Sequence, residues 1–326
     1  MARRAPEFVG RAHERGVTLV ELLVATAVAL VVVLAATAAF VASQRLFTAD
    51  ADAQAVEESL RFAGFVVRSV TRQAGYSDYA PDSVGPQGSE GIAGSANTTA
   101  PSNDLADLDI VGASDTRVSG VGESHGAHGT RGINASDSLR VRFFGRSRAG
   151  GDGTEPDGTM IDCMGFAQPG PAADTPVSAD RAWSFFYVAE AADKEPELYC
   201  KYRSAKGGAF RAQPLARGIE VFKVVYGHDA DGNGVPEHWL DAAQVEATAA
   251  SRDKVAEEWR KVVGLRIGMV ARSAQARGGA REAEEVLYPL GTDFSELSFR
   301  PAADGRLRRV ATFTVMLRNA MKAPAS

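Results

Sequence analysis

The chain has 326 residues, 45% hydrophobic and 24% charged, ordinary values for a packed protein that exclude disorder of the whole chain and leave room for one large or two small cores. A formal net charge of −5 with the signs mixed offers no basic surface, so nucleic acid is not indicated as a partner. The 33 glycines, many of them between residues 84 and 175, predict long irregular connections inside an otherwise packed domain.

At the amino end, Arg3, Arg4, Arg11 and Arg15 stand against Glu7 and Glu14, and an apolar stretch follows at once. From Leu22 to Ala42 there is no charge, and about 20 apolar residues suffice to cross a bilayer as a helix. The Arg excess places this end in the cytoplasm by the positive-inside rule, so everything after residue 43 lies beyond the inner membrane. An ordinary secretory signal is the rival reading, because Ala-rich 35–39 imitates its cleavage site. One acid, Glu21, stands near the head of the run. A carboxylate in hydrocarbon costs a few kcal/mol and is by default functional, with a partner to be named. A cut between Gly16 and Val17 makes Glu21 the fifth residue of the new chain, one turn from a fresh α-amino group. As subunits stack, that amine on one copy neutralises the carboxylate on its neighbour. The plainer alternative is an acid favoured near a helix amino end.

Arg15-Gly16 followed by VTLVELLVATAVAL resembles the leader and transmembrane start of type IV pilins and the related pseudopilins. The resemblance implies that a prepilin peptidase cuts after Gly16, leaves the helix attached and methylates Val17, and that Glu21 is the assembly carboxylate. The family usually starts its mature chain with Phe or another bulky apolar residue, and Val17 is smaller.

Beyond the membrane run, Val56, Leu60, Ala63, Val67, Val70 and Ala74 recur at spacings of four and three, an apolar stripe along a helix. Glu57, Glu58, Arg61, Arg68 and Arg72 take its other faces. The pattern predicts one rod over 17–75, transmembrane over 17–42 and amphipathic over 43–75, stopped near Gly75. Residues 80–135 show no sustained period. Strands are predicted at 139–144, where Leu139, Val141 and Phe143 alternate with arginines, and at 183–189, 198–202, 219–226, 262–272 and 310–318. A polar, helix-prone piece spans 242–260, with Val255 and Trp259 one turn apart. A leading helix followed by such strands predicts an α+β fold: a head, 76–326, whose antiparallel sheet packs on the rod behind a leader, 1–16.

Cys163 and Cys200 are an even pair, which outside the cytoplasm reads as a disulfide. Closing that 37-residue loop is worth about 4 kcal/mol in the chain-entropy model. In DADGNGVPE, Asp229, Asp231, Asn233 and Glu237 alternate around Gly234 like the first part of a calcium loop. The closing position is Leu240 where a bidentate Glu belongs, and Asp241 comes one place late. A hairpin turn in which Asp and Asn bond their own backbone is the favoured reading, and no cofactor is expected. GESHG at 122–126 matches the nucleophile elbow of hydrolases. A tethered hydrolase using Ser124 with His125 or His128 is therefore the enzymatic alternative, but the Gly-rich flanks lack the strand and helix that make an elbow. His125 and His128 as a metal pair lack a third ligand.

Further pieces narrow the resemblance. RSVTRQAGY, NASDSLRVRFF, Cys163 with Met164-Gly165 after it, LYC at 198–200 and QPLARGIEVFKVVYGHDADGNGVPEHW resemble the PilW-type minor pilins. A strand ending in Tyr226-Gly227, the Asp/Gly/Asn turn, Trp259, a Val-rich strand and Leu317-Arg318-Asn319 follow in that family's order, while 84–133 matches nothing in it. The resemblance implies a non-enzymatic subunit that joins other minor pilins in a complex priming pilus assembly, with a place at the tip. Implied partners are the prepilin peptidase, other minor pilins, the major pilin and the inner-membrane assembly platform. Type II secretion pseudopilins of the J kind share the leader and the plan, and are the nearest rival.

Overall fold

The computed structural model describes residues 16–76, 104–149, 155–171, 180–203, 208–276 and 286–319. Most of the expected leader and part of the 80–135 stretch lie outside the described residues. The chain divides into two compact units, residues 1–51 and 52–326.

Helix α1 runs Leu19–Thr71, close to the 17–75 read from the pattern. In the first unit it is apolar and exposed almost throughout. In the second, the expected stripe Val56, Leu60, Ala63, Val67 and Val70 is buried, with Ala74 just past the helix. The charged residues at 57, 58, 61, 68 and 72 are exposed. After Thr71 the chain turns through Gly75, at φ +69°, whose amide donates to Arg142 O at 3.0 Å. Asn319 Nδ2 donates to Ala74 O at 3.0 Å. The AGY at the helix end and the LRN near the chain end therefore meet, and the two motifs fasten one corner of the head.

The head carries two antiparallel sheets where the sequence pattern suggested one. The first holds β1 (Ile110–Ala113), β2 (Ser138–Phe143), β3 (Ala182–Glu190), β4 (Pro196–Arg203) and β5 (Phe210–Arg217) in that order. The second holds β6 (Ile219–His228), β7 (His238–Leu240), β8 (Val262–Ala276) and β9 (Arg306–Met316) in the order β7-β6-β8-β9. The chain changes sheets at Gly218, whose φ is +80° and where a Cβ would lie 2.8 Å from Arg272 O. Only glycine suits that corner. The six strands expected from alternation are all present. The three unexpected ones, β1, β5 and β7, are all sheet edges, where pairing on one side alone tolerates short runs, polar residues and Pro214. In place of one helical piece over 242–260 there are two short helices, α2 (Ala242–Ala247) and α3 (Val255–Arg260), with a 3-10 turn at Arg252–Lys254 between them. Asp241 caps α2 reciprocally with Gln244.

The core is continuous from the α1 stripe through the inward residues of both sheets. Trp259 of α3 packs edge-on against Tyr226, ring centres 4.8 Å apart. The phenol reaches across to β1, where a Cβ at Gly112 would overlap its oxygen. Ser136 and Asp137 stitch the sheets together. The Asp137 carboxylate accepts from the Val224 amide and Lys223 Nζ, both at 3.0 Å, and Phe222 N donates to Ser136 Oγ at 3.1 Å. At another point Glu195 accepts from Arg272 and Arg306, and Glu220 from Arg308. A buried ion network of this kind is strongly destabilised when one partner is removed.

The arginines of β2 are not solvated. Arg140 and Arg142 are buried, and the Arg142 guanidinium lies 3.8 Å from the Trp183 ring centre. Lys201 on β4 is also buried, 4.3 Å over Phe185, and donates to Ser119 O at 2.9 Å and Ser124 O at 2.6 Å. Burial pushes the Lys201 amine down to about 8. The glycine-rich chain around Ser119–Ser124 is thus fixed to the first sheet by Lys201, and the turn at residues 105–108 by Arg140 and Arg142 bonded to its carbonyls, a layer that their aperiodic composition does not announce.

Candidate functional site

The start of α1 carries the residues on which the sequence argument turned. Gly16 and Val17 are exposed, and nothing lies within 4 Å of a Cβ built on Gly16. Thr18 precedes the helix. Its Oγ1 accepts from the Glu21 amide at 3.2 Å, while Glu21 Oε2 accepts from the Thr18 amide and hydroxyl, both at 3.0 Å. This is a capping box, T-x-x-E, in which two orphan donors of the first turn are satisfied reciprocally. The sequence reading gave Glu21 a partner on a neighbouring chain and missed Thr18. The signal, Thr18 three residues before an acid at the head of an apolar run, was present. In the single chain Glu21 therefore has a local hydrogen-bond partner.

The run behind it is long and apolar enough to cross a membrane. Its polar interruptions are self-satisfied. Thr26 Oγ1 donates to Leu23 O and Thr37 Oγ1 to Val33 O, each at 2.9 Å, as hydrocarbon requires of any hydroxyl placed in it.

Cys163 and Cys200 are bonded, with Cα atoms 5.8 Å apart. Cys200 is in the middle of β4, and Cys163 sits in the connection between β2 and β3; both are buried. The connection is shaped locally by Asp162, whose Oδ1 accepts from the amides of Met164 at 2.9 Å and Phe166 at 3.0 Å. Burial pushes the Asp162 carboxyl up to about 6.

The DADGNGVPE segment is the hairpin between β6 and β7, with His228 paired to His238. Asp229 Oδ1 accepts from Gly232 N at 2.8 Å and Asn233 N at 3.1 Å, and Oδ2 from Gly234 N at 2.8 Å. Burial raises its pKa, and the amides of Gly234, Gly232 and Asn233 outweigh that, so the carboxyl sits below its ordinary value. Glu237 Oε2 accepts from Ala230 N at 2.7 Å, and Asp231 Oδ1 from Asn233 N at 3.1 Å. Gly232 and Gly234 take positive φ. The acids at 229, 231 and 237 each place an oxygen within 4.8 Å of the others. Leu240 lies on β7, and Asp241 is occupied in capping α2.

The 122–128 segment does not build a nucleophile. Ser124 is exposed in a loop, its Oγ accepting from Gly126 N at 3.1 Å. His128 uses both ring nitrogens elsewhere, Nδ1 accepting from Ser114 N at 3.0 Å and Nε2 facing Glu246 Oε1 at 3.3 Å. Burial, with Arg140 and then His128 adding to it, pushes His125 down to about 3, too weak a base to take a serine proton at neutral pH. Among the described residues neither ring is hydrogen-bonded to the Ser124 hydroxyl.

Residues 11–37 match the prokaryotic N-terminal methylation motif, which brackets Gly16, Val17 and Glu21. Residues 185–319, from β3 to the LRN, match the family described as type IV pilus-assembly protein W. No curated protein matches this chain. The solved type IV-like pilin TTHA1219 from Thermus thermophilus is similar over 82% of this chain and 98% of its own, at 16% identity and a TM-score of 0.38, a likeness too slight to argue from. The chain thus carries a methylation motif at the start of α1 and, over the head strands, a segment similar to the type IV pilus-assembly protein W family.

Proposed function

We propose that this chain is a minor subunit that helps initiate type IV pilus assembly, acting by packing and not by catalysis. The observation that supports this most is the coincidence, in one chain, of the methylation motif over residues 11–37 with the PilW segment over 185–319. On this reading the chain enters the inner membrane once, with its amino end cytoplasmic and its head periplasmic. Prepilin peptidase cuts after Gly16 and methylates Val17, and the apolar part of α1 then packs among sister helices of other minor pilins and the major pilin on the assembly platform. The head selects which neighbour fits, at or near the fibre tip.

Deletion of the gene is expected to abolish surface fibres, and the tagged chain is expected to copurify with fibres sheared from a complemented strain. A deletion strain with normal fibres but failed protein secretion would move the reading to the J-kind pseudopilins.

The 229–237 turn is proposed to act without a metal ion. Its stability already comes from backbone amides bonded to Asp229 and Glu237. Melts of the head in chelator and in millimolar calcium are expected to coincide, since a ligand bound only to the folded state would raise the midpoint with concentration. Asp231→Asn is expected to shift the midpoint by less than about 2 °C, because Asn bonds the turn backbone in the same way. A calcium-dependent upward shift contradicts this.

A further inference from the structure

The last strand, β9, closes the second sheet, and among the described residues no strand pairs with its other side. Leu317 N donates to Val263 O at 2.8 Å, toward β8. In an antiparallel ladder the direction of the backbone groups alternates. The N–H and C=O groups of Val310, Thr312, Thr314 and Met316 therefore point away from β8, and among the described residues no backbone group bonds them there. The β8 register behind them is unbroken from Arg308 to Met316, and the side chains of Thr312, Thr314 and Met316 are exposed.

Edges of this kind are normally blunted by shortness, proline or charge. The other edges here obey that rule: β1 has 4 residues, β7 has 3, and β5 carries Pro214. From Val310 to Met316 the β9 edge has no proline, glycine or charge. It also adjoins an exposed apolar stretch of α1. Gly64 faces Phe313, the Arg68 guanidinium lies 4.6 Å from the Phe313 ring centre, and on the same helix Phe62 and Phe65 are 50% and 68% exposed.

We infer that the open side of β9 receives an extended strand from a different subunit of the same helix-plus-sheet build, extending the second sheet by backbone pairing. This rests on the proposed role as a packing subunit. Two features point to such an occupant: a row of unpaired backbone groups that suits a strand, and beside it exposed phenylalanines that suit an apolar helix. A second copy of this chain fits less well. Two-fold pairing of β9 with itself runs the strand in opposite directions in the two copies, whereas subunits packed in one fibre on the proposed reading share one direction.

The test uses the full-length chain in its own host, with a photo-cross-linking amino acid at Val310. The expected product is an adduct with another subunit that carries a prepilin leader. Thr314→Pro removes an outward amide and leaves the ladder to β8 intact, and Thr314→Lys adds a blunting charge. Each is expected to lower the adduct about tenfold, the loss of about one or two backbone hydrogen bonds, while Thr314→Val leaves it unchanged. If Thr314→Pro misfolds, Thr314→Lys decides. Adducts only between copies of this chain, no adduct, or a yield in the Thr314→Lys chain equal to that of the unsubstituted chain would overturn the inference. Normal fibres in the deletion strain with the adduct intact would instead remove the assembly reading and leave the pairing standing.

Discussion

Glu21→Ala is expected to reach the membrane in normal amount and to be absent from sheared fibres. Removing a charge from hydrocarbon eases insertion, while the amine at Val17 of a neighbouring chain loses its counter-ion. The capping box complicates this, because the substitution also removes the bonds between Glu21 and Thr18. Loss of a cap costs about 1 kcal/mol, too little to prevent a helix of 53 residues. Glu21→Gln separates the two roles. Glutamine serves at the third position of a capping box but carries no charge, so it is expected to be as defective as alanine. Thr18→Val removes the cap and keeps the carboxylate, and is expected to retain most incorporation. Immunoblots of membrane and fibre fractions read both; Glu21→Gln fibres at the wild-type level would leave the cap, and not the charge, as the function of this residue.

Replacing both cysteines by alanine is expected to destabilise the head by about 4 kcal/mol, a fall of roughly 10 °C in midpoint for a unit of this size. The bond ties a glycine-flanked connection to the centre of β4, and both sulfurs are buried, so its loss frees a long loop and leaves poorly filled space beside it. The protein in its host is expected to lose abundance. Alkylation before reduction is expected to label neither thiol, and labelling of both would show that the bond does not form.

What could be read in advance followed burial. The α1 stripe buries one regular set of side chains, so a period of 3.6 was visible in the residues themselves, and the six principal strands, β2 and β6 buried at every position, showed as apolar runs or as alternation. FRAQPLAR and HWL bury little and leave no such period, and IVGA, buried throughout, is too short at four residues to show one. Nothing in the sequence separated the two sheets except Gly218, a single residue whose meaning depends on Arg272, far along the chain. Arg140 and Arg142 looked like solvated alternation, and their burial under carbonyls of residues 105–108, like that of Lys201 under those of Ser119 and Ser124, depends on contacts that no local pattern encodes. At the candidate site, Gly16, Val17 and Glu21 were legible because their chemistry lies within one helical turn. Thr18 is equally local, since T-x-x-E at the head of an apolar run is itself a capping-box signal.

The central claim is that this chain is processed as a pilin and carried into a fibre by its amino-terminal helix. It is tested most directly by mass spectrometry of the amino terminus of the chain recovered from sheared fibres. The account predicts a single mature form beginning at N-methylated Val17, with the apolar run retained. A terminus near Ala39, where an ordinary signal peptidase would cut, removes Glu21 and most of the apolar run together and would contradict the account.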